Sequence, residues 1–140
     1  MGTKAYELAE QSVVKNAFGL AEQVALACSN AKGQDIVVLD VASVFDLADY
    51  FVIVSGRSDR QVQGISNKVL ETLSKQAIKP LSICGLEEGQ WVLIDCDDVI
   101  VHVFYDSQRF HYDIEGLWIR ADRYVFNEAR ETLVKKRLSA

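Results

Sequence analysis

The segment Asp95-Cys96-Asp97 contains the first residues whose types and spacing suggest chemistry. Two carboxylates two residues apart on a strand point to the same side, and together they can bind Mg²⁺. The alternative is that Asp97-Asp98 forms a hairpin turn, because aspartate tolerates turn conformations, while Asp95 makes a hydrogen bond at the hairpin end. The turn is favoured, since no third carboxylate on another strand can be identified.

A second candidate is the turn Ser55-Gly56-Arg57-Ser58, between a predicted strand and a predicted helix. Backbone amides at a helix N-terminus can bind phosphate, and with Asp95 and Asp97 the turn would outline a Mg²⁺-dependent nucleotidyltransferase. The turn lacks the Lys-Ser/Thr ending of a Walker loop. The favoured interpretation is a turn and a helix cap, with Ser58 or Asp59 as the capping residue.

His102 lies within an apolar run, where a lone histidine is more often a hydrogen-bonded structural residue than a catalyst. No serine or cysteine nucleophile with an orienting group accompanies it, so a hydrolytic triad is unsupported. Trp91 and Trp118 are either core residues or interface anchors, because large rings with an N–H group are favoured at the centre of protein interfaces.

The residues around these candidates predict an alternation of helices and strands. Apolar spacing predicts a helix over Lys4 to Lys32 and a second helix before Pro80. Apolar runs predict buried strands at 35–40, 50–54 and 81–84. The stripes that define the two helices are Val14, Ala17, Phe18, Ala21, Val24, Ala25 and Cys28 in the first, and Val62, Ile65, Val69 and Leu73 in the second.

The stretch from Trp91 to Trp118 is predicted to be a hairpin followed by a short helix. A two-residue turn near Cys96 to Asp98 gives the hairpin an aliphatic face and a mixed face. The aliphatic face holds Val92, Ile94, Val99, Val101 and Val103. The mixed face holds Trp91, Leu93, Asp95, Ile100, His102 and Phe104. Trp91 and His102 are then near neighbours across the strands.

The segment from Arg120 to the end is predicted to be a last helix with Val125, Ala129 and Leu133 on one side. The strands at 50 and 81 flank a crossover helix, so they should run parallel. These elements predict an α/β (α+β) fold, with a single mixed sheet of about five strands packed by helices.

Composition narrows the class of protein. The chain has 140 residues, which predicts one domain, and a net charge of −5, which does not favour binding to a nucleic-acid backbone. The three cysteines, Cys28, Cys84 and Cys96, form no zinc motif and are predicted to be small buried residues. No apolar run of membrane-spanning length and no secretion signal is found, so a cytoplasmic protein is expected.

Several longer motifs resemble the ribosomal silencing factor family, also called Iojap-like. They are the run LADYFVIVSG at 47–56, then Ser58 and Arg60, the pattern D-x-x-D-V-I-V-H at 95–102, and R-x-x-Y-x-x-E-x-L-W at 109–118. The chain departs from the family at Asp97, where a glycine is usual, and at Ser107 and His111, where glutamate and tyrosine are frequent. The glycine position favours a turn role for Asp97 over a metal role.

The resemblance spans about Ala5 to Trp118. It implies a ribosomal silencing factor domain over residues 1–120. Residues 121–140 lie outside the core of the resemblance, and the helix predicted from their spacing makes them a C-terminal helical extension of the same domain. The resemblance also implies a nucleotidyltransferase-like sheet with no known catalytic activity and no cofactor.

The resemblance further implies a function. Members repress translation when nutrients are scarce by binding the large ribosomal subunit through ribosomal protein L-fourteen, which blocks joining of the small subunit. The protein is expected to be a homodimer when free, with no membrane attachment and little direct contact with nucleic acid. L-fourteen is basic, so an acidic partner gains complementary attraction.

The residues expected at the partner-binding surface have three roles. Trp91, Trp118 and Leu117 belong to its apolar part, where the tryptophans make apolar contacts or support them. Asp95 and Asp98 would face cations. His102, Arg109, Tyr112 and Glu115 would shape or hold the surface. For Arg109 and Glu115 the alternative is an internal salt bridge.

Overall fold

A seven-stranded mixed sheet organises residues 16–136, the part of the chain that the computed structural model describes. The helices are α1 (Ala17–Asn30), α2 (Asp59–Lys75), α3 (Asp106–Tyr112) and α4 (Ile114–Leu117). The strands are β1 (Gln34–Asp40), β2 (Tyr50–Gly56), β3 (Ser82–Cys84), β4 (Trp91–Asp95), β5 (Val99–Tyr105), β6 (Asp122–Asn127) and β7 (Thr132–Lys136). Across the sheet their order is β3-β4-β5-β2-β1-β6-β7.

The sheet is mixed, as predicted, although it has seven strands and not about five. β2 and β5 pair in parallel, and the other neighbours pair antiparallel. β2 and β3, on either side of the crossover helix α2, run in the same direction as predicted. They are not neighbours, because β4 and β5 lie between them.

Helices α1 and α2 cover one face of the sheet and form the main core with it. The predicted stripe on α2 is fully buried, and the aliphatic face of the β4–β5 hairpin is buried against the same core. In α1 the predicted residues Ala21, Val24, Ala25 and Cys28 are buried. The part of the predicted first helix from Lys4 to Lys15, including Val14, lies outside the described residues. Each fully buried valine or leucine contributes about 1.5–3 kcal/mol, so these stripes fix the two helices to the sheet.

The predicted C-terminal helix is wrong, because the segment forms the hairpin β6–β7. β6 adds to the sheet beside β1, and this pairing satisfies backbone groups that would otherwise form an open edge. The run Tyr124-Val125-Phe126 has strong strand propensity, which outweighs the four-residue spacing that suggested a helix. Asn127 accepts a hydrogen bond from the Arg130 amide in the connecting turn. Glu22 on α1 accepts one from the Leu133 amide of β7.

The thiols of the three cysteines are free. Cys28 is buried, as predicted, and burial raises its pKa to about 12. Cys96 is partly buried; burial, and then the charge of Asp95, raises its pKa to about 11. Both thiols therefore stay protonated and unreactive near neutral pH. The prediction of burial is wrong for Cys84, which is exposed on the edge strand β3.

Helix α2 begins with a side-chain cap whose removal should be measurable. Ser58 Oγ accepts a hydrogen bond of 3.0 Å from the Gln61 amide. We expect Ser58→Ala to lower the free energy of unfolding by about 1 kcal/mol, since this amide loses its partner. Urea unfolding checks the value, with Ser58→Asn as the control that retains a capping oxygen. Equal stability of the two variants would contradict the role of the cap.

Candidate functional site

The mixed face of the β4–β5 hairpin lies beneath the chain that runs from Asp106 to Ala121. The predicted register is confirmed, since Trp91 pairs with Phe104 and Leu93 pairs with His102. Most of this face is a second core, in which Phe104 is fully buried and His102 is 6% exposed. The second core leaves few of the face's own side chains free, so a partner would meet the segment that covers it.

Trp91 and His102 form a hydrogen-bonded pair in this second core. Trp91 Nε1 donates to His102 Nδ1 over 3.1 Å, so the imidazole is neutral and its proton is on Nε2. His102 Nε2 has no hydrogen-bond partner among the described residues. Burial lowers the pKa of His102 to about 4, which keeps it neutral at physiological pH.

The tryptophan held in this way supports a surface residue. The Trp91 ring stacks on Phe104, with centroids 4.9 Å apart. Its centroid lies 4.8 Å from that of Tyr112, which is exposed on α3. His102 therefore acts on the surface indirectly, by fixing the ring on which Tyr112 rests.

Arg109 ties the covering segment to the sheet through an ion pair with Glu115. Arg109 Nε and Nη2 donate to the two oxygens of Glu115 over 2.8 and 3.1 Å. Arg109 Nη1 also donates to the carbonyl of Asp35 and to the hydroxyl of Ser55, at 2.7 and 2.9 Å. The Arg109 and Glu115 side chains are only 10% and 17% exposed. The internal salt bridge, weighed as the alternative for this pair, is therefore present, and it joins α3 and α4 to β1 and β2.

The charge of Glu115 is stabilised by a second arginine. Arg123 Nη2 lies 3.0 Å from the carboxylate. Burial alone would raise the pKa of Glu115, but the hydrogen bonds and charges of Arg109 and Arg123 together lower it below its usual value. Glu115 therefore stays ionised at neutral pH and continues to hold Arg109.

The two members of this pair are six residues apart and meet because the chain turns sharply at Asp113. Asp113 takes a left-handed conformation with φ of 45°, which ends α3. Its Oδ1 accepts a hydrogen bond from the Gly116 amide and so caps α4. Aspartate adopts this conformation more readily than most residues, and Gly116 leaves room for the Asp113 carboxylate. The turn brings α4 back under Arg109.

The covering segment carries large apolar side chains into solvent. Phe110 is 89% exposed and Leu117 is 73% exposed, and Tyr112 and Ile119 are exposed as well. We call these four residues the docking surface. Single exposed apolar residues are normal, but four large ones within residues 110–119 of one anchored segment make it a candidate interaction site. Sequence reasoning identified Tyr112 and Leu117 but missed Phe110 and Ile119. The signal for Phe110 was an apolar residue between the polar Arg109 and His111.

Comparison with known proteins identifies the family. The sequence profile of the family described as "Ribosomal silencing factor during starvation" matches residues 14–139. The chain belongs to this family. The resemblance read from the motifs is confirmed, and the match continues past Trp118, where the motifs ended, through the β6–β7 hairpin.

Individual relatives support the assignment to the ribosomal silencing factor family. The chain is 39% identical over 94 residues to the "Ribosomal silencing factor RsfS" of Bacillus subtilis, covering 67% of this chain and 80% of that protein. It is 35% identical over 98 residues to "Protein Iojap, chloroplastic" of Zea mays, covering 70% of this chain and 42% of that protein. Membership supports a ribosome-associated role in silencing translation.

Solved structures confirm the fold class. A crystal structure of a Chromobacterium violaceum protein matches with a TM-score of 0.72 at 34% identity, covering 74% of this chain and 86% of that one. A Bacillus halodurans crystal structure matches with a TM-score of 0.63 at 36% identity, covering 69% and 90%.

The predicted acidic residues lie away from the docking surface. Asp95 and Asp98 are at the end of the β4–β5 hairpin opposite to the start of α3. Asp95 Oδ1 accepts a hydrogen bond of 2.9 Å from the Asp97 amide, and Asp97 has φ of 72°, as the turn interpretation predicts. Burial, and then the charges of Asp49 and Asp97, raises the pKa of Asp98. Within residues 16–136, no group of three histidine, cysteine or acidic side chains could hold a metal ion.

Trp118 lies at the far end of the covering segment, where it is partly buried. Its ring is 5.5 Å from that of Phe45 and 6.0 Å from that of Phe51, between centroids. It therefore anchors the segment to the second core on the side opposite to Tyr112. In the described part of the chain, no helix has the length and apolar character needed to cross a membrane.

Proposed function

We propose that this chain binds the large ribosomal subunit through ribosomal protein L-fourteen and blocks joining of the small subunit, which silences translation when nutrients are limiting. The observation that carries the proposal is the docking surface on a segment fixed at both ends. Phe110 and Leu117 are exposed on it, while Arg109 and Trp118 anchor it to the sheet. Such rigid apolar anchors are where binding energy concentrates in protein interfaces.

Charge supports a basic protein as the partner. The chain has a net charge of −5, so it is repelled by exposed phosphates and attracted to a basic protein on the ribosome. On this proposal the contact is with L-fourteen and includes little RNA. Asp95 and Asp98, at the other end of the hairpin, are proposed as a separate acidic contact.

The mechanism needs no catalysis. A factor that occupies the joining surface shifts the subunit equilibrium by mass action, in proportion to its concentration relative to its Kd. We therefore propose a non-enzymatic repressor that requires no cofactor. We also propose that it is cytoplasmic and is a homodimer when free.

Co-sedimentation with purified large subunits tests the proposal. Wild-type protein should sediment with the subunits and reduce formation of complete ribosomes when small subunits are added. We expect Leu117→Ala to weaken binding about tenfold, because it removes an exposed anchor of the docking surface. Val134→Ala is the matched control, since Val134 is exposed on the distant edge strand β7. Wild-type protein that fails to sediment would overturn the proposed function.

A further inference from the structure

A pocket of about 380 Å³ opens beside the docking surface, at the end of the sheet where β2 and β5 finish. Its size is at the lower end of ligand-binding pockets. Asp35 comes from β1, Ser55 from β2, and Asp106 and Phe110 from α3. Phe110 is shared with the docking surface, so a partner on that surface reaches the pocket directly.

The charge in the pocket is strongly unbalanced. Asp35, Asp106 and Asp113 line it, and none of the three takes part in an ion pair within residues 16–136. The guanidinium of Arg109 also lines the pocket, but four of its N–H bonds already point to protein oxygens. An anion would thus meet three carboxylates that are outside any ion pair, and an arginine with little left to donate, which disfavours phosphate as the occupant.

The lining favours a positively charged group instead, and the geometry restricts its kind. Carboxylates that hold a metal ion must converge on one point, and no such group is present in the described part of the chain. Carboxylates spread around a pocket instead suit a broad, planar cation with several donors. The exposed ring of Phe110 at the rim offers a face on which a guanidinium can stack.

We infer that the docking surface is bound by a protein segment that places an arginine side chain in this pocket. An apolar neighbour of that arginine lies on Leu117, while its guanidinium faces Asp35 and Asp106 and stacks on Phe110. This inference rests on the proposed function, because it describes how the basic partner of the same surface is recognised. It adds a specific subsite and the residue type that fills it.

A peptide titration tests the pocket without the ribosome. The probe is the blocked tripeptide Leu-Arg-Leu, and its control is the same peptide with citrulline, which has the shape of arginine without its charge. We expect backbone amide shifts in NMR spectra at Asp35, Asp106 and Asp113 with the arginine peptide only. Equal shifts with both peptides, no shifts, or equally large shifts at the distant Asp46 and Asp97 would overturn the inference.

Two charge-matched variants extend the test to large subunits. Asp35→Asn combined with Asp106→Asn should weaken binding about fivefold, since it removes two carboxylates from the pocket. Asp46→Asn combined with Glu71→Gln changes the net charge equally at exposed residues away from the pocket and from Asp95 and Asp98, and it should leave binding unchanged.

The two tests separate the subsite from the function. If the wild type and both double variants bind large subunits equally well, the inference about the pocket is overturned and the proposed function still stands. Wild-type protein that does not bind subunits would remove the proposed function, and the peptide titration would then decide the pocket by itself.

Discussion

Replacing Arg109 with alanine is expected to lower the free energy of unfolding by about 3 kcal/mol. The reason is that Glu115, only 17% exposed, loses its main partner and stays charged in a poorly solvated site. The carbonyl of Asp35 and the hydroxyl of Ser55 also lose a donor. Arg123 still contacts Glu115, which keeps the loss at the lower end of the range for broken buried ion pairs.

Urea unfolding of purified protein measures this loss. Arg57→Ala is the matched control, because Arg57 is exposed and should change the free energy of unfolding by less than about 0.5 kcal/mol. A double variant, Arg109→Met with Glu115→Leu, should be more stable than Arg109→Ala, since it leaves no unpaired charge. A loss below about 1 kcal/mol for Arg109→Ala would show that the pair does not hold the segment.

Arg109→Ala should also weaken binding to large subunits, and by a larger factor than truncation of one exposed side chain, as in Leu117→Ala. Arg109 fixes the turn between α3 and α4, so its removal frees Phe110, Tyr112 and Leu117 together. Ordering them again on binding costs conformational entropy at each side chain. Stability and binding should therefore fall together in this variant, whereas Leu117→Ala should lose binding alone.

Local patterns in the sequence predicted the elements that are defined by their own residues. The stripe of α2, the strands β1 and β2 and the hairpin register all follow from periodicity and from a two-residue turn. The order of strands across the sheet did not follow, because neighbours such as β2 and β5 are brought together by contacts far apart in sequence.

The C-terminal segment shows why a local pattern can mislead. Val125, Ala129 and Leu133 have helical spacing, but the backbone of β1 offers an unpaired edge that only the folded sheet reveals. Tyr124 and Phe126 then pack as strand residues against Phe18 and the main core. Tertiary pairing outweighed the periodicity.

The candidate site could be predicted only in part from the sequence, because it too depends on tertiary contacts that local patterns do not show. The motifs named Arg109, Glu115 and His102, and Trp91 was singled out as a large amphipathic ring. Which of these residues are supports and which are contacts depends on their burial. The structure shows Arg109 and His102 turned into the protein, and it exposes Phe110 and Leu117. The sequence did not indicate that Asp35 lines the pocket, because Asp35 lies on β1, outside the motifs.

The neutral imidazole of His102 should make stability fall as the pH is lowered from 7 to 4. The unfolded chain binds a proton at His102 near pH 6.5, whereas burial lowers the pKa in the folded protein to about 4. Between these values the unfolded state holds more protons, so the stabilisation is complete above pH 6.5 and is lost as the pH falls towards 4. The difference in pKa corresponds to about 3 kcal/mol.

Comparison with His102→Gln isolates this contribution. Glutamine does not titrate and still offers an oxygen to the Trp91 indole. The other titratable groups, such as Glu115, are shared by both proteins, so their contributions cancel. Unfolding free energies at pH 7 and pH 4 should differ by about 3 kcal/mol more in the wild type than in the variant. The same dependence on pH in both proteins would contradict the burial of a neutral His102.

The acid state should be visible first at Trp91. A protonated His102 has donors on both nitrogens, so its Nδ1 can no longer accept from the Trp91 indole and the two N–H groups oppose each other. The indole N–H signal in NMR spectra should shift near pH 4, before global unfolding, and the signal of Tyr112 should move with it because the two rings are in contact. If the signal of Tyr112 shifts while that of Trp118 does not, the loss of structure begins at the His102 end of the covering segment. The docking surface then depends on Trp91 for its shape.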